Sequence, residues 1–283
     1  MKVRWGLILI PPMLVSFLFL FGTQFLFLRA GLFEELGLGR FGDTLTLENY
    51  YHFIKDPFYY DSLILSFQIS AMVVIATVIF AYPVAYTIAR MQSRWAMVLL
   101  SVIVISSFVS VVIKALGLII IFGSDGFLNS LILDLGISDK PIRIIGRVEG
   151  VVMGMMHYVL SFMVLLLFSV IQTIPRSFEE AAQIHGAKRW RVMLKVVLPL
   201  SLPGIVGGSV IVFNMCMGAF VSAQVLGGGQ VLTLPVVIQR SIELDNELAM
   251  GAALSAILLF TVLAINIAST FFLGRFRFMK VRS

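Results

Sequence analysis

The chain has 283 residues, 59% of them hydrophobic and only 13% charged, with a mean hydropathy of +1.01. No soluble globular domain needs that much apolar surface, so the composition excludes one and leaves an integral membrane protein. The formal net charge of +6 and the pI near 9.6 fit basic loops beside anionic lipid, with no need of nucleic acid as a partner.

Six apolar stretches follow one another: 5–28, 62–89, 95–113 (resuming after Lys114 as far as 124), 150–175, 196–239 and 248–274. A bilayer core of roughly 30 Å takes about 20 helical residues, so each stretch can span, and six transmembrane helices are predicted. Lys2 and Arg4 precede the first stretch as they would a secretory signal. That stretch outruns the roughly 7–15 residues of a signal core, so it is expected to remain as the first helix. With the N-terminus in the cytoplasm, segments 1–5, 90–94, 175–197 and 274–283 face inward and hold thirteen basic residues against two acidic ones. The remainder holds eight basic against thirteen acidic, the bias of the positive-inside rule, so both termini are expected inside.

The longest inward loop carries EEAAQIHGAKRWRVMLKVVLPLSLPGI, residues 179–205. Ser177 with Glu180 reads as a capping box, Pro175 lies just upstream, and Gly186 is placed to end a helix in the left-handed conformation. A short helix over about 178–185 is predicted, with Ala181 and Ala182 leaving a shallow flank that another protein surface can approach. Phe178 and His185, seven residues apart, project on a similar face. A second helix over 188–197 is expected to stop at Pro199 and Pro203.

Glu180-Ala181-Ala182, three residues, Gly186, nine residues, then Val196-x-Leu198-Pro199 resembles the EAA signature of bacterial ABC-importer permeases, with Val where Ile is usual. The stretches LENYYHFIKDPFYYDSLILSFQIS (47–70), YPVAYTIAR (82–90), GAFVSAQVLGGGQVLTLPVVIQ (218–239) and GAALSAILL (251–259) resemble permeases of the spermidine/putrescine type. The resemblance implies an all-α integral membrane fold of six transmembrane helices, the type I ABC-importer permease (MetI-like) fold. It implies one permease domain over 1–283, with its core at 62–273 and its coupling loop at 175–203. In such proteins the loop inserts into a cleft on a cytoplasmic ATPase, which here would fall to Phe178, Glu179, Glu180, Ala181, Ala182, His185, Gly186 and Ala187. The implied partners are two ATPase subunits carrying ATP and Mg, a second permease subunit and a periplasmic substrate-binding protein. Transport would run by alternating access, with a polyamine-like cargo or, in related permeases, an opine, aminoethylphosphonate, iron or thiamine. A channel subunit is the other class with six helices, but it would need no EAA loop. Two departures stand out: Ser161 where the family usually has Pro in helix 4, which should leave that helix straighter, and Lys114 where polyamine-type permeases carry Arg in helix 3.

No G-x-x-x-x-G-K-[ST] loop is present, so ATP is not expected on this chain. His52, His157 and His185 are scattered and Cys216 is single, so neither a metal site, a disulfide nor a catalytic constellation is expected, and the chain binds no cofactor of its own. Lys114 is costly at membrane depth and should face the interior or a wet cavity, either as a pathway residue or as a structural or interfacial one. An uninterrupted helix from Trp95 would carry it about 28 Å, within reach of a latch to Glu149. His157, Asn214 and Asn266 are candidates for the cavity or for interhelical hydrogen bonds, and Met153, Met155 and Met156 for packing. Outside, Glu243, Asp245 and Glu247 could present a negative rim, while Gly227, Gly228 and Gly229 form a mobile or closely packed turn. Asp56→Cys and Asp245→Cys are expected to react with an impermeant thiol reagent added outside, and Lys188→Cys only after permeabilisation; the reverse pattern overturns this topology.

Overall fold

A backbone N–H or C=O in lipid has no water to bond, so an apolar run crosses only as a helix that satisfies itself. The computed structural model of the chain describes residues 5–37 and 39–279. Among them, six helical segments are long and apolar enough to cross a membrane: Ile10–Ala30, Pro57–Arg90, Val111–Asp134, Val148–Gln172, Arg189–Met217 and Leu248–Phe271. The terminal charges Lys2, Arg4, Lys280 and Arg282 lie outside the described residues.

In chain order the elements begin with α1 (Trp5–Ala30), β1 (Phe33–Glu35), β2 (Phe41–Leu45), α2 (Glu48–Lys55) and α3 (Pro57–Arg90). They continue with α4 (Trp95–Phe108), α5 (Val111–Phe122), α6 (Phe127–Asp134), α7 (Val148–Gln172), α8 (Ser177–Ile184) and α9 (Arg189–Val192). A π-helical segment (Met193–Val197) leads into α10 (Leu198–Met217), α11 (Val221–Leu226), α12 (Leu234–Glu243) and α13 (Leu248–Met279). Two compact units result, Met1–Leu63 with Leu234–Leu263 and Ile64–Thr233 with Ala264–Ser283.

In the first unit, the large side chains of α1 from Met13 to Phe27 are exposed, as befits a helix that is apolar all round and faces lipid. The antiparallel β1–β2 hairpin, Phe33 opposite Leu45, was not expected from the sequence. It forms around Gly37 and Gly39, both at positive φ (74° and 71°), which make a turn that strands can flank. Buried Asn49 ties α2 to it by donating to the carbonyls of Gly31 (3.1 Å) and Phe33 (2.8 Å). Glu35 accepts from Gly37 N (3.1 Å) and from Ala249 N (2.6 Å). A hairpin carboxylate thus satisfies a free donor in the first turn of α13 and meets the positive end of its dipole.

The second unit is organised on α7. Val151, Met155, Val159, Met163, Leu167 and Ile171 recur every fourth residue and are buried, a stripe against which α4, α5, α10 and α11 pack. Met155 is therefore a core residue, in line with the packing reading. Ser161 keeps its backbone donor, α7 runs through it unbroken, and its hydroxyl bonds Ser106 of α4 at 3.4 Å.

Three sequence expectations need correction. The third passage is not one helix over 95–113: Val109 is extended (ψ 130°), and Ser110 starts a new helix by accepting from Val112 N. The 28 Å placement of Lys114 fails with it, since Lys114 sits in the first turn of α5 and donates its own N–H to Ser110 O. The long run 196–239 is divided among α10, α11 and α12. Nor do Pro199 and Pro203 stop the helix that begins at Arg189. Leu198 N–H reaches back to Met193 O in a wider π register just ahead of Pro199, which falls in the first turn of α10, and Pro203 lies inside α10.

A Cβ at Gly31 would lie 2.7 Å from Ala253 N of α13, in backbone that cannot step aside, whereas one at Gly22 meets nothing within 4 Å. Gly31→Ala is expected to cost about 1–3 kcal/mol of stability in detergent melts, and Gly22→Ala to cost none.

Candidate functional site

The loop after α7 is a folded element. α8 ends in a Schellman motif: Ala187 N–H donates to Ala182 O (3.1 Å), Gly186 N–H donates to Gln183 O (2.9 Å), and Gly186 sits at φ +80°. The capping box is not formed. Ser177 is already helical, Arg176 holds the cap position, and Arg176 O accepts from Glu179 N and Glu180 N, so the turn closes through backbone before any side chain is needed. Phe178, Glu180, Ala181, His185 and Gly186 are exposed, with Ala182 and Ala187 half-buried beside them. Ile184, 84% exposed, and Trp190 extend this apolar surface, although neither was singled out from the sequence.

Glu179 points the other way. It is 6% exposed, and its carboxylate accepts from Arg90 Nε (2.5 Å) and from the Tyr86 hydroxyl (2.9 Å), both on the last turns of α3. Arg90 Nη2 also donates to Ile174 O (3.0 Å), and Arg176 Nη2 donates to Arg90 O (3.4 Å). One helical turn before Tyr86, Tyr82 shares a hydrogen bond of 3.0 Å with Ser201 of α10. An open cavity of about 640 Å³, lined by Tyr86, Arg90, Gln92, Arg176, Glu180 and Arg189, lies beside the pair. Sequence reading grouped Glu179 with the outward residues. The spacing of Tyr82, Tyr86 and Arg90 at intervals of four was the signal for an inward partner.

The other candidates do not form one site. Lys114 is buried on α5, and no hydrogen bond or ion pair holds its ammonium among the described residues. Glu149, exposed in the first turn of α7, does not pair with it, so the expected latch is absent. His157, exposed on α7, lies within electrostatic reach of Lys114. Asn214 of α10 and Asn266 of α13 exchange side-chain hydrogen bonds of 2.8 and 3.3 Å, the interhelical reading of both. Gly227 is closely packed, since a Cβ there would lie 2.3 Å from Ala223 O and 2.9 Å from Val231 Cβ.

In the first unit, Glu243 accepts from Gln239, and Asp245 sits 3.8 Å from Arg240 in an exposed pair of little energetic weight. Glu247 is half-buried, and burial above all, then the charges of Asp245 and Glu35, pushes its carboxyl above the usual carboxylate range, with His52 acting in the opposite direction.

Six helices long and apolar enough to cross a membrane, joined by a folded polar loop, are the architecture of an integral membrane component. Residues 78–277 match the family described as binding-protein-dependent transport system inner membrane component, and the chain belongs to it: a multi-pass inner-membrane permease of an ABC importer. It is similar to the spermidine/putrescine transport system permease protein PotB of Haemophilus influenzae, 31% identical over 211 residues, 75% of this chain and 73% of that one. The same permease of Escherichia coli K12 is 30% identical over 247 residues, 86% of this chain and 87% of that one. A chain of a bacterial alginate ABC transporter, solved in complex with an alginate pentasaccharide-bound periplasmic protein, shares the fold at a TM-score of 0.78. It is 16% identical and is covered over 93% of its length by 95% of this chain.

Gly186→Val puts a branched side chain at φ +80°, a strain of about 1–3 kcal/mol confined to the loop. Membrane insertion is expected to survive and uptake to be lost; normal uptake would remove the Schellman turn from function.

Proposed function

We propose that this chain is the permease subunit through which an ATP-driven importer moves a polyamine of the spermidine/putrescine class by alternating access. The observation that carries the reading is α8: a closed helix at the EAA position, presenting Phe178, Glu180, Ala181, Ala182, His185 and Gly186 to a partner while its ends are held by the chain itself. The loop 175–203 and both termini lie in the cytoplasm, as the charge bias requires, and two ATPase subunits holding ATP and Mg dock there. A second permease completes the pathway, a periplasmic protein delivers the cargo, and 1–283 acts as one permease domain with its core at 62–273. The cargo class is supported by the two permeases named above, and the carboxylates of Glu243, Asp245 and Glu247 offer a cation a favourable approach. This chain itself holds no cofactor.

The chain purified with its ATPase and reconstituted in vesicles with its binding protein inside the donor compartment tests both halves. Labelled spermidine or putrescine is expected to accumulate only with ATP. An ATPase that does not co-purify overturns the docking reading, and a bound, active ATPase that drives uptake of neither amine overturns the cargo.

A further inference from the structure

Tyr82, Tyr86 and Arg90 stand four residues apart and so share one face of α3 where that helix ends. Everything polar on this face is spent on the loop and on α10. Arg90 and Tyr86 hold the two oxygens of Glu179, Arg90 also holds Ile174 O, and Tyr82 holds Ser201. Beside these bonds lies the open cavity rather than packed apolar surface, so polar contacts fasten α8 to α3. On its other flank α8 continues through α9 into the π segment, an irregularity of the kind found inside α-helices at functional sites.

We propose that Arg90 and Glu179, with Tyr86, are positioning residues that pass displacement of α8 into α3, and that Glu179 is not part of the surface facing the ATPase. This rests on the reading that an ATPase docks on α8. The geometry separates two jobs within one short helix. The outward face receives the partner, and a single inward carboxylate, gripped from two sides, converts that partner's movement into movement of a membrane-spanning helix. Tyr82 and Ser201 extend the same face to α10, so α3 and α10 move together.

The test uses the complete transporter in vesicles, with three readouts: ATPase retained on purification, ATP hydrolysed, and cargo taken up per ATP. Glu179→Gln and Arg90→Met are expected to retain the ATPase while uptake per ATP falls about tenfold, within the range of typical coupling energies. Arg90→Lys keeps the charge but not the fork that bonds Glu179 and Ile174 together, and is expected to recover part of the loss. The double variant Arg90→Met with Glu179→Met leaves no buried charge unpaired, so it separates folding from transmission and decides alone if a single variant does not accumulate. It is expected to assemble and hydrolyse ATP yet remain uncoupled. Wild-type uptake per ATP in the double variant, or in either single one, overturns the proposal. Loss of ATPase binding in Glu179→Gln also overturns it, by returning Glu179 to the docking surface. A wild-type chain that retains no ATPase refutes the docking reading instead.

Discussion

Lipid offers no hydrogen bonds, and every departure from continuous helix in this chain must therefore supply its own. At Val109 the third passage breaks, and Ser110 restores a partner by capping α5. Where α5 ends, fully buried Asn129 bonds Gly123 O (2.7 Å) and Ile142 O (3.1 Å) and accepts from Ile142 N (2.7 Å), so one amide closes the backbone of a whole turn. Glu35 does the same for the start of α13, and Gly186 with Ala187 for the end of α8. The irregular points are thus the places where single side chains fix the geometry.

Charge obeys the same logic with larger stakes. The Arg90–Glu179 pair is largely buried, with side-chain exposures of 14% and 8%. Losing one partner of such a pair costs about 3–5 kcal/mol, while replacing both with apolar groups is often neutral, so its worth lies in where it holds α8 rather than in net stability. Lys114 lacks even that compensation. It is buried in the first turn of α5, and among the described residues the charge-bearing group within its electrostatic reach is His157, another nitrogen base.

The class, the six spans and the loop helix were legible in the sequence because long uncharged runs and a glycine at a helix end act locally. Interruptions inside apolar runs were not. Nothing in the composition of 95–113 distinguishes Val109 from its neighbours, and only its backbone angles mark the break. The π segment was equally hidden, since prolines at 199 and 203 read as stops until the register before them is known. Glu179 and Glu180 are identical in type and adjacent, yet a rotation of about 100° per residue sends one inward and the other outward, and only the partner on α3 decides which. Pairings such as Asn214 with Asn266 join residues 52 positions apart, beyond the reach of any local pattern.

The π segment carries a consequence for how this chain tolerates insertions and deletions. A π turn contains one residue more than an α turn would over the same length, and each residue in a helix advances the azimuth by about 100°. Met193–Val197 therefore sets the phase of α10, whose Gly208 lies against Met163 and Leu166 of α7, and whose Val212 and Cys216 are buried. Deleting a single residue there would relax the segment to ordinary α-helix and leave that face on α7, because the π turn already carries its extra residue within the length of one α turn. The segment is thus the place where this helix can lose one residue without turning α10, whereas the same deletion inside the twenty residues of α10 would rotate everything beyond it by about 100°.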